Sequence, residues 1–353
     1  MKNKPEKMQK KNSMLMLPGF ILLMLLTLNS SRVDRQDLDS TLLSLMFYNA
    51  ENLFDTIDSD LDDDEFIPSS ARRWNTYKYY RKLNNIFKVI ALAGRDMKTP
   101  DLVGLVEIEN KMVLQDLCNR TGLSREGYKY IISQGNDSRG INTALLYRDE
   151  AFELITWASW CPVYEDGSSL DTRAILYSRL KTTGDTLDVL VCHWPSRRGG
   201  VIESENRRKA VASFMRQKID SLGTARKIVI MGDFNDEPGS ESLINILGAG
   251  MPDEQRDDEY LINISFDRGD SSYSYKYRGT WYMFDQMIVS SPLLDADRGL
   301  YYLEGSFSVL NDEVLLTDDL TYRGLRPNST WWGYRYNGYY SDHLPVTIRL
   351  AYR

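Results

Sequence analysis

The 353-residue sequence is poor in cysteine and in histidine, with three cysteines (Cys118, Cys161, Cys192) and two histidines (His193, His343). Three cysteines permit at most one internal disulfide, so the chain is not a disulfide-stapled scaffold, and none of their spacings matches a zinc motif. Buried free thiols are expected. There is no excess of positive charge: the formal net charge is −7. An acidic body does not offer a broad electrostatic footprint to nucleic acid, so a polyanionic substrate would need a local basic patch or metal ions. The chain lacks a long apolar run; its one extended apolar stretch, Met14–Leu28, has 15 residues, short for a membrane span. Internal repeats and interdomain linkers are also missing. The length exceeds one ordinary domain but suits one large sandwich or barrel. What the chain has in supply is aromatic side chains, including 22 tyrosines and 7 tryptophans.

The first segment reads as a targeting signal. Lys2, Lys4, Lys7, Lys10 and Lys11 precede the apolar stretch, and Asn29-Ser30-Ser31 follow it, the layout of a secretory signal. Residues 1–31 are expected to be removed, leaving one domain over 32–353 that is secreted or periplasmic; an uncleaved N-terminal anchor is the alternative. Removal takes away five lysines and one glutamate, so the formal charge goes from −7 to −11. No cysteine follows the run closely, which disfavours a lipid anchor.

Apolar strands end repeatedly in polar residues. Lys227–Met231 is a short buried strand that turns through Gly232 and presents Asp233 and Asn235, two apart and facing the same way on an extended chain. Thr41–Phe47 leads to Asn49, Leu102–Val106 to Glu107, and Thr186–Cys192 to His193. Phe284–Ser290 opens on Asp285, and Leu344–Tyr352 is introduced by Asp342-His343. Helices are expected over Arg72–Ala93, with Trp74, Tyr77, Tyr80, Leu83, Phe87 and Ile90 inward, over Lys111–Arg120, and over Glu203–Leu222. Strands come in runs with helices inserted, which argues for α+β, two sheets with helices outside. In the acidic loop Asp55–Glu65, Asp58, Asp60 and Asp62 alternate like the start of a calcium loop. The turn glycine is missing and position 69 is serine, so the EF-hand reading fails and a solvated loop is expected.

Both histidines sit at strand ends among carboxylates. That set fits hydrolysis of a phosphoester: hard oxygen donors such as Glu107, Asn49 and Asp342 suit Mg²⁺, Mn²⁺ or Ca²⁺ rather than zinc, histidine serves as acid or base near neutrality, and Asp285 could orient His343. Arg197-Arg198-Gly199-Gly200 is the best local phosphate-binding feature. Arg207, Arg208 and Lys209 either extend it or form a solvated helix face. The late aromatics are expected mostly to pack, though some could stack bases.

Seven stretches in order carry a resemblance: YNAENLF at 48–54, LVEIEN at 105–110, RGINTALLY at 139–147, HWPSRRGG at 193–200, GDFNDEP at 232–238, YMFDQMIVS at 282–290 and SDHLPV at 341–346. Together the sequence resembles the endonuclease/exonuclease/phosphatase superfamily of deoxyribonuclease I-like and exonuclease III-like enzymes, most of all its secreted bacterial nuclease-like branch. The resemblance implies a four-layer α/β/β/α sandwich and a divalent-metal-dependent phosphodiester hydrolase, an endonuclease on DNA or RNA; a phosphatase or phosphodiesterase on a phospholipid or sugar phosphate is the alternative, and a catalytically silent binding module the lesser one. No obligate protein partner is evident. It further implies Glu107 as principal metal ligand with Asn49 and Asp342 in support, Asp233 orienting or activating water, Asn235 holding a phosphate oxygen, Asp285 orienting His343, His343 as base or phosphate contact, His193 as general acid or phosphate contact, and Arg139 near the phosphate. The acidic partner usual for a residue like His193 is not evident; Asn142 stands in the corresponding region.

Overall fold

The computed structural model describes residues 42–94, 98–251, 260–266 and 273–353; the expected signal segment lies outside them. In chain order, strand β1 (Leu42–Leu53) and helix α1 (Thr76–Ala93) precede β2 (Leu102–Ile108), α2 (Lys111–Arg120), β3 (Tyr128–Ile132) and β4 (Asn142–Arg148). Then come β5 (Glu153–Trp160), β6 (Ile175–Thr182), β7 (Asp185–His193), α3 (Val201–Leu222) and β8 (Ile228–Asp233). The remainder holds β9 (Ala249–Gly250), β10 (Leu261–Asn263), a hairpin of β11 (Tyr275–Tyr277) and β12 (Thr280–Tyr282), then β13 (Asp285–Ser290), β14 (Leu300–Tyr302) and β15 (Ser308–Val309). Two further short hairpins, β16 (Leu316–Asp318) with β17 (Leu325–Pro327) and β18 (Trp331–Trp332) with β19 (Arg335–Tyr336), lead to β20 (Val346–Tyr352).

The larger strands make two sheets, β14-β20-β1-β2-β4-β3 with β15 beside β20, and β5-β6-β7-β8-β13-β10-β9. Most pairs are antiparallel; β1 with β2, β7 with β8, and β9 with β10 are parallel. Period-two alternation sets the layers. Val189 and Val191 of β7 and Val229 and Met231 of β8 join the core between the sheets, with β1, β2 and β4. Their neighbours Leu190, Cys192, Ile228 and Ile230 face the other way, onto Val211, Met215 and Ile219 of α3. Helix α1 covers the first sheet through Tyr79, Leu83, Ile86, Val89 and Ile90. The order helix, sheet, sheet, helix is the sandwich the sequence implied.

Gly104 shows how close the sheets lie. It sits in mid-β2, and a Cβ there would come within 2.5 Å of Met231 Sδ from the facing sheet. Gly104→Ala forces that methionine off its packing, and we expect a loss of about 1–3 kcal/mol in the free energy of urea unfolding, with no change in the denaturant slope.

Two local expectations change. Helix α1 starts at Thr76, not Arg72, because the Asn75 side chain caps it by accepting the Lys78 N–H at 3.1 Å. Trp74 thus lies in the lead-in, fully buried, with its indole N–H donated to the Phe54 carbonyl at 3.1 Å, while Tyr77 is exposed. The turn after β8 comes later than Gly232. That glycine stays in the strand, facing Cys192 and Gln286 in register, where a Cβ would collide with the Cys192 backbone oxygen at 2.5 Å. Cys118 and Cys192 are buried free thiols as expected, and Cys161 is half-buried and free.

Candidate active site

Strand register builds the site. The parallel pairing of β7 with β8 sets His193 opposite Asp233, and the antiparallel pairing of β8 with β13 sets Asp233 opposite Asp285. One polar row therefore ends three adjacent strands. His343 arrives just before β20 from the other sheet and forms a bridge with Tyr275, whose ring stacks on the imidazole at 4.5 Å.

Glu107 comes from a bulge. Asn49 pairs with Val106 and Leu53 with Ile108, so three residues of β1 face one of β2. The strain is absorbed in left-handed backbone at Glu51, Asn52 and Glu107, with φ of 51°, 54° and 61°. For side-chain-bearing residues that conformation is costly and marks a position held by its surroundings. Here the Glu107 carboxylate accepts the Asn52 N–H at 2.7 Å on one oxygen and turns the other toward His193 Nε2 at 3.9 Å.

Asp233 is the hub. Its Oδ2 accepts the Asn49 amide at 3.1 Å and lies 3.5 Å from His193 Nε2 and 3.7 Å from His343 Nε2; its Oδ1 accepts the Asn235 N–H at 3.0 Å. The fold thus gathers Asp233 with both histidines, and Glu107 with His193, on one polar edge. Asn235 departs from it. With φ of 51° it is not extended, and its side-chain amide donates to the Trp194 carbonyl at 3.1 Å rather than facing the way Asp233 does.

Burial and charge set the protonation states. Burial pushes the Asp233 carboxyl up, opposed by His343 and reinforced by Asp285, to about 7. Burial works against a charged His343, but the carboxylates of Asp285, bonded to its Nδ1 at 2.7 Å, and Asp233 outweigh it and hold the imidazole well above its ordinary value. His193 goes the other way: burial, then Arg173 and Arg139, depress it well below the usual histidine range, so it is neutral at pH 7. Its Nδ1 is buried without a hydrogen-bond partner among the described residues. Asn142 does not supply one; its amide donates to the carbonyls of Glu109 and Gly140. Burial also raises Asp342, with the charge of Glu107 adding to it against His343 and Lys82.

The arginines divide. Arg139 is near enough to depress His193, with its guanidinium 3.8 Å from Asp137. Arg197 reaches the site's edge, bonding the Asn235 carbonyl at 2.9 Å and Asp236 at 3.3 Å, and lies over the Phe284 ring. Arg198 is exposed on the turn and makes no ion pair among the described residues. The basic face of α3 is committed elsewhere. Arg208 is buried against Asp236 at 2.8 Å, Lys209 pairs with Glu205 and Glu241, and Arg207 bonds the Asp171 carbonyl.

Sequence reading missed three residues here. Arg173 is a buried cation paired with Asp137 at 3.2 Å and felt by His193; its signal was a lone arginine just before an apolar strand. Lys82 and Glu51 form a buried pair at 3.7 Å beneath Asp342 and the 328–340 loop, with Lys82 bonded to the Tyr340 carbonyl and Glu51 to the N–H groups of Thr330 and Trp331. Nothing in a helical lysine at position 82 signals that.

The donors at the strand tips are nearly all oxygen. Glu107, Asp342 and the Asn49 carboxamide suit a hard divalent cation. Asp233, Asp285 and His343 also bring donor atoms within 4.8 Å of one another, although the 2.7 Å bond inside that trio is the geometry of a carboxylate-oriented histidine.

A two-sheet sandwich with carboxylates and histidines gathered at its strand tips defines a phosphoesterase of the deoxyribonuclease I-like class. The chain belongs to the Endonuclease/Exonuclease/phosphatase family, whose profile matches residues 44–352. Among solved structures it is similar to humanized D. rerio TDP2 (15% identity, TM-score 0.55, 88% of this chain and 98% of that one). It is also similar to an endonuclease/exonuclease/phosphatase family protein from Bacteroides thetaiotaomicron (17%, TM-score 0.54, 89% and 98%). A third is the mannosyl-6-phosphatase Bt3783 of Bacteroides thetaiotaomicron VPI-5482 (16%, TM-score 0.53, 88% and 99%). At these identities the likeness shows the fold. No curated protein matches the sequence.

Proposed function

We propose that this chain is a divalent-metal-dependent phosphodiester hydrolase acting on nucleic acid outside the cytoplasm. The observation that carries the chemistry is Asp233 standing between a neutral His193 and a charged His343, with Glu107 across the cleft. Glu107 and Asp342 would hold Mg²⁺, or Mn²⁺ or Ca²⁺ in its place, with Asn49 in support. A bound divalent ion supplies charge neutralisation of the phosphate and of the departing oxygen. Asp233, fixed by Asn49 and the Asn235 N–H, orients the attacking water and takes its proton. His343, held charged by Asp285, binds a phosphate oxygen beside it. His193 donates its Nε2–H to the phosphate, and Arg139 adds charge at the rim. Asn235 and Arg197 hold the turn that carries Asp233; Arg198 is left to meet substrate from solvent.

Nucleic acid is favoured by a groove of about 360 Å³ lined by Asp342 and by Tyr277, Tyr322 and Trp332 together with Arg278 and Arg326. Rings and cations together suit stacked bases and their phosphates. The smaller-substrate reading, a sugar phosphate or phospholipid head group, draws support from the acidic net charge and from the committed cations of α3. Export rests on the basic, apolar, polar order of residues 1–31. Among the described residues no helix is long and apolar enough to cross a membrane.

The test is a substrate panel for the purified chain with Mg²⁺ or Mn²⁺: plasmid DNA, RNA, bis-p-nitrophenyl phosphate and a sugar monophosphate. Polynucleotide cleavage is expected, abolished by chelator. Turnover of the monophosphate with both polynucleotides left intact overturns the nuclease reading and supports the second.

A further inference from the structure

The acidic loop after β1 does not use the spacing the sequence brings to notice. Instead of Asp58, Asp60 and Asp62, the fold gathers Asp58, Asp63 and Asp64, each with a carboxylate oxygen within 4.8 Å of the other two. Asp58 and Asp64 are exposed, while Asp63 is 3% exposed. The Asp63 Oδ1 is sealed from solvent and has no hydrogen-bond partner among the described residues. Among the described residues no lysine or arginine pairs with any of the three; the nearby Arg72 is bonded to Glu65 at 2.9 Å. A buried carboxylate oxygen with neither hydrogen bond nor counter-ion carries a desolvation cost that something must offset.

We propose that this loop is a Ca²⁺ site, separate from the catalytic centre, with Asp58, Asp63 and Asp64 as its carboxylate ligands. Three carboxylates make a hard, strongly negative donor set. Two of them are open to solvent, so backbone carbonyls and water can complete the six to eight oxygens that Ca²⁺ takes; Mg²⁺ demands a stricter octahedron. The loop is already anchored within the trio and just after it. Phe66 stacks on Phe54 at 4.3 Å, and the Asp62 N–H donates to the Ser138 carbonyl at 3.0 Å. Leu61 lies against Gly140, where an added Cβ would be 2.6 Å from its Cδ1. Ser138 and Gly140 flank Arg139, so an ion in the loop would stiffen the turn that brings this arginine to the catalytic site.

Hydrogen exchange read by mass spectrometry on the full chain tests this, with Mg²⁺ present throughout to satisfy the catalytic site. Adding about 10 mM Ca²⁺, above the weak range of extracellular sites, should slow exchange over residues 57–66 roughly tenfold or more. The same slowing is expected in Glu107→Gln. It should be lost in the Asp58→Asn/Asp64→Asn double variant, whose changed side chains are exposed, and in Asp63→Asn. The proposal is overturned by no slowing in the unaltered chain, by slowing that persists in the double variant, or by slowing that disappears in Glu107→Gln, which would assign the effect to the catalytic centre.

Discussion

Glu107→Gln should lower phosphodiester hydrolysis about a thousandfold or more, some 4 kcal/mol of barrier. Glutamine has the shape of glutamate, so the bulge that presents residue 107 and the acceptor bonded to the Asn52 N–H are retained. What is lost is the negative charge that, on the proposed roles, makes this side chain the principal cation ligand. The loss should be accompanied by a higher Mg²⁺ requirement and an unaltered circular dichroism spectrum. Removing a carboxylate from among Asp233, Asp342 and Asp285 should leave the metal-free protein no less stable. Activity within tenfold of the unaltered enzyme at saturating metal would remove Glu107 from the site. Asp342→Asn serves as the comparison: it should weaken metal binding less.

The second large effect is at the His343–Asp285 pair. His343→Ala and Asp285→Asn should each cost about 10²–10⁴ in kcat, and the double variant should be little worse than either single one, because the two side chains act as a unit. Asparagine keeps the shape at 285 but no longer holds His343 charged next to Asp233. The same pair sets a pH dependence of stability. His343 is raised in the fold, so its contribution is fully present below the unfolded value near 6.5 and is lost as pH rises through the higher folded value. Asp233, pushed up to about 7, acts in the same sense, since the folded chain keeps a proton that the unfolded chain releases near pH 4. His193, depressed in the fold, contributes stability that grows up to its unfolded value of about 6.5 and so offsets Asp233 below that. The metal-free protein should therefore lose stability as pH climbs from about 6.5 upward. Asp285→Asn should remove the upper part of that decline. Urea unfolding as a function of pH in chelator reads both, and a rise in stability over the same interval would contradict the charge assignments.

Much of this was legible in the sequence because strands fix what their ends present. Five buried residues before Asp233, and similar runs before His193 and Glu107, were enough to predict side chains gathered on one edge, and the register that sets His193, Asp233 and Asp285 in a row follows from those strands pairing. The misses have a common cause. Glycine usually marks a turn, whereas Gly232 serves a close approach to Cys192, a tertiary fact. Extended backbone would set Asn235 beside Asp233, and the φ of 51° at Asn235 breaks that alternation. Arg208 sits in a basic run typical of a solvated face yet is buried against Asp236. Lys82 is a helical lysine whose carboxylate partner lies in β1, 31 positions away in the chain. The acidic loop escaped for a related reason: its converging aspartates are not the evenly spaced ones. Local pattern reports which face a residue takes; it does not report which distant group arrives there.

The most direct test of the account is where a metal binds. Crystals of the chain soaked in Mn²⁺ with phosphate should give an anomalous peak at about 2.0–2.2 Å from a Glu107 carboxylate oxygen, with Asp342 nearby and the phosphate between that ion and His193. A peak instead on Asp233, Asp285 and His343, or none at the strand tips, would contradict it.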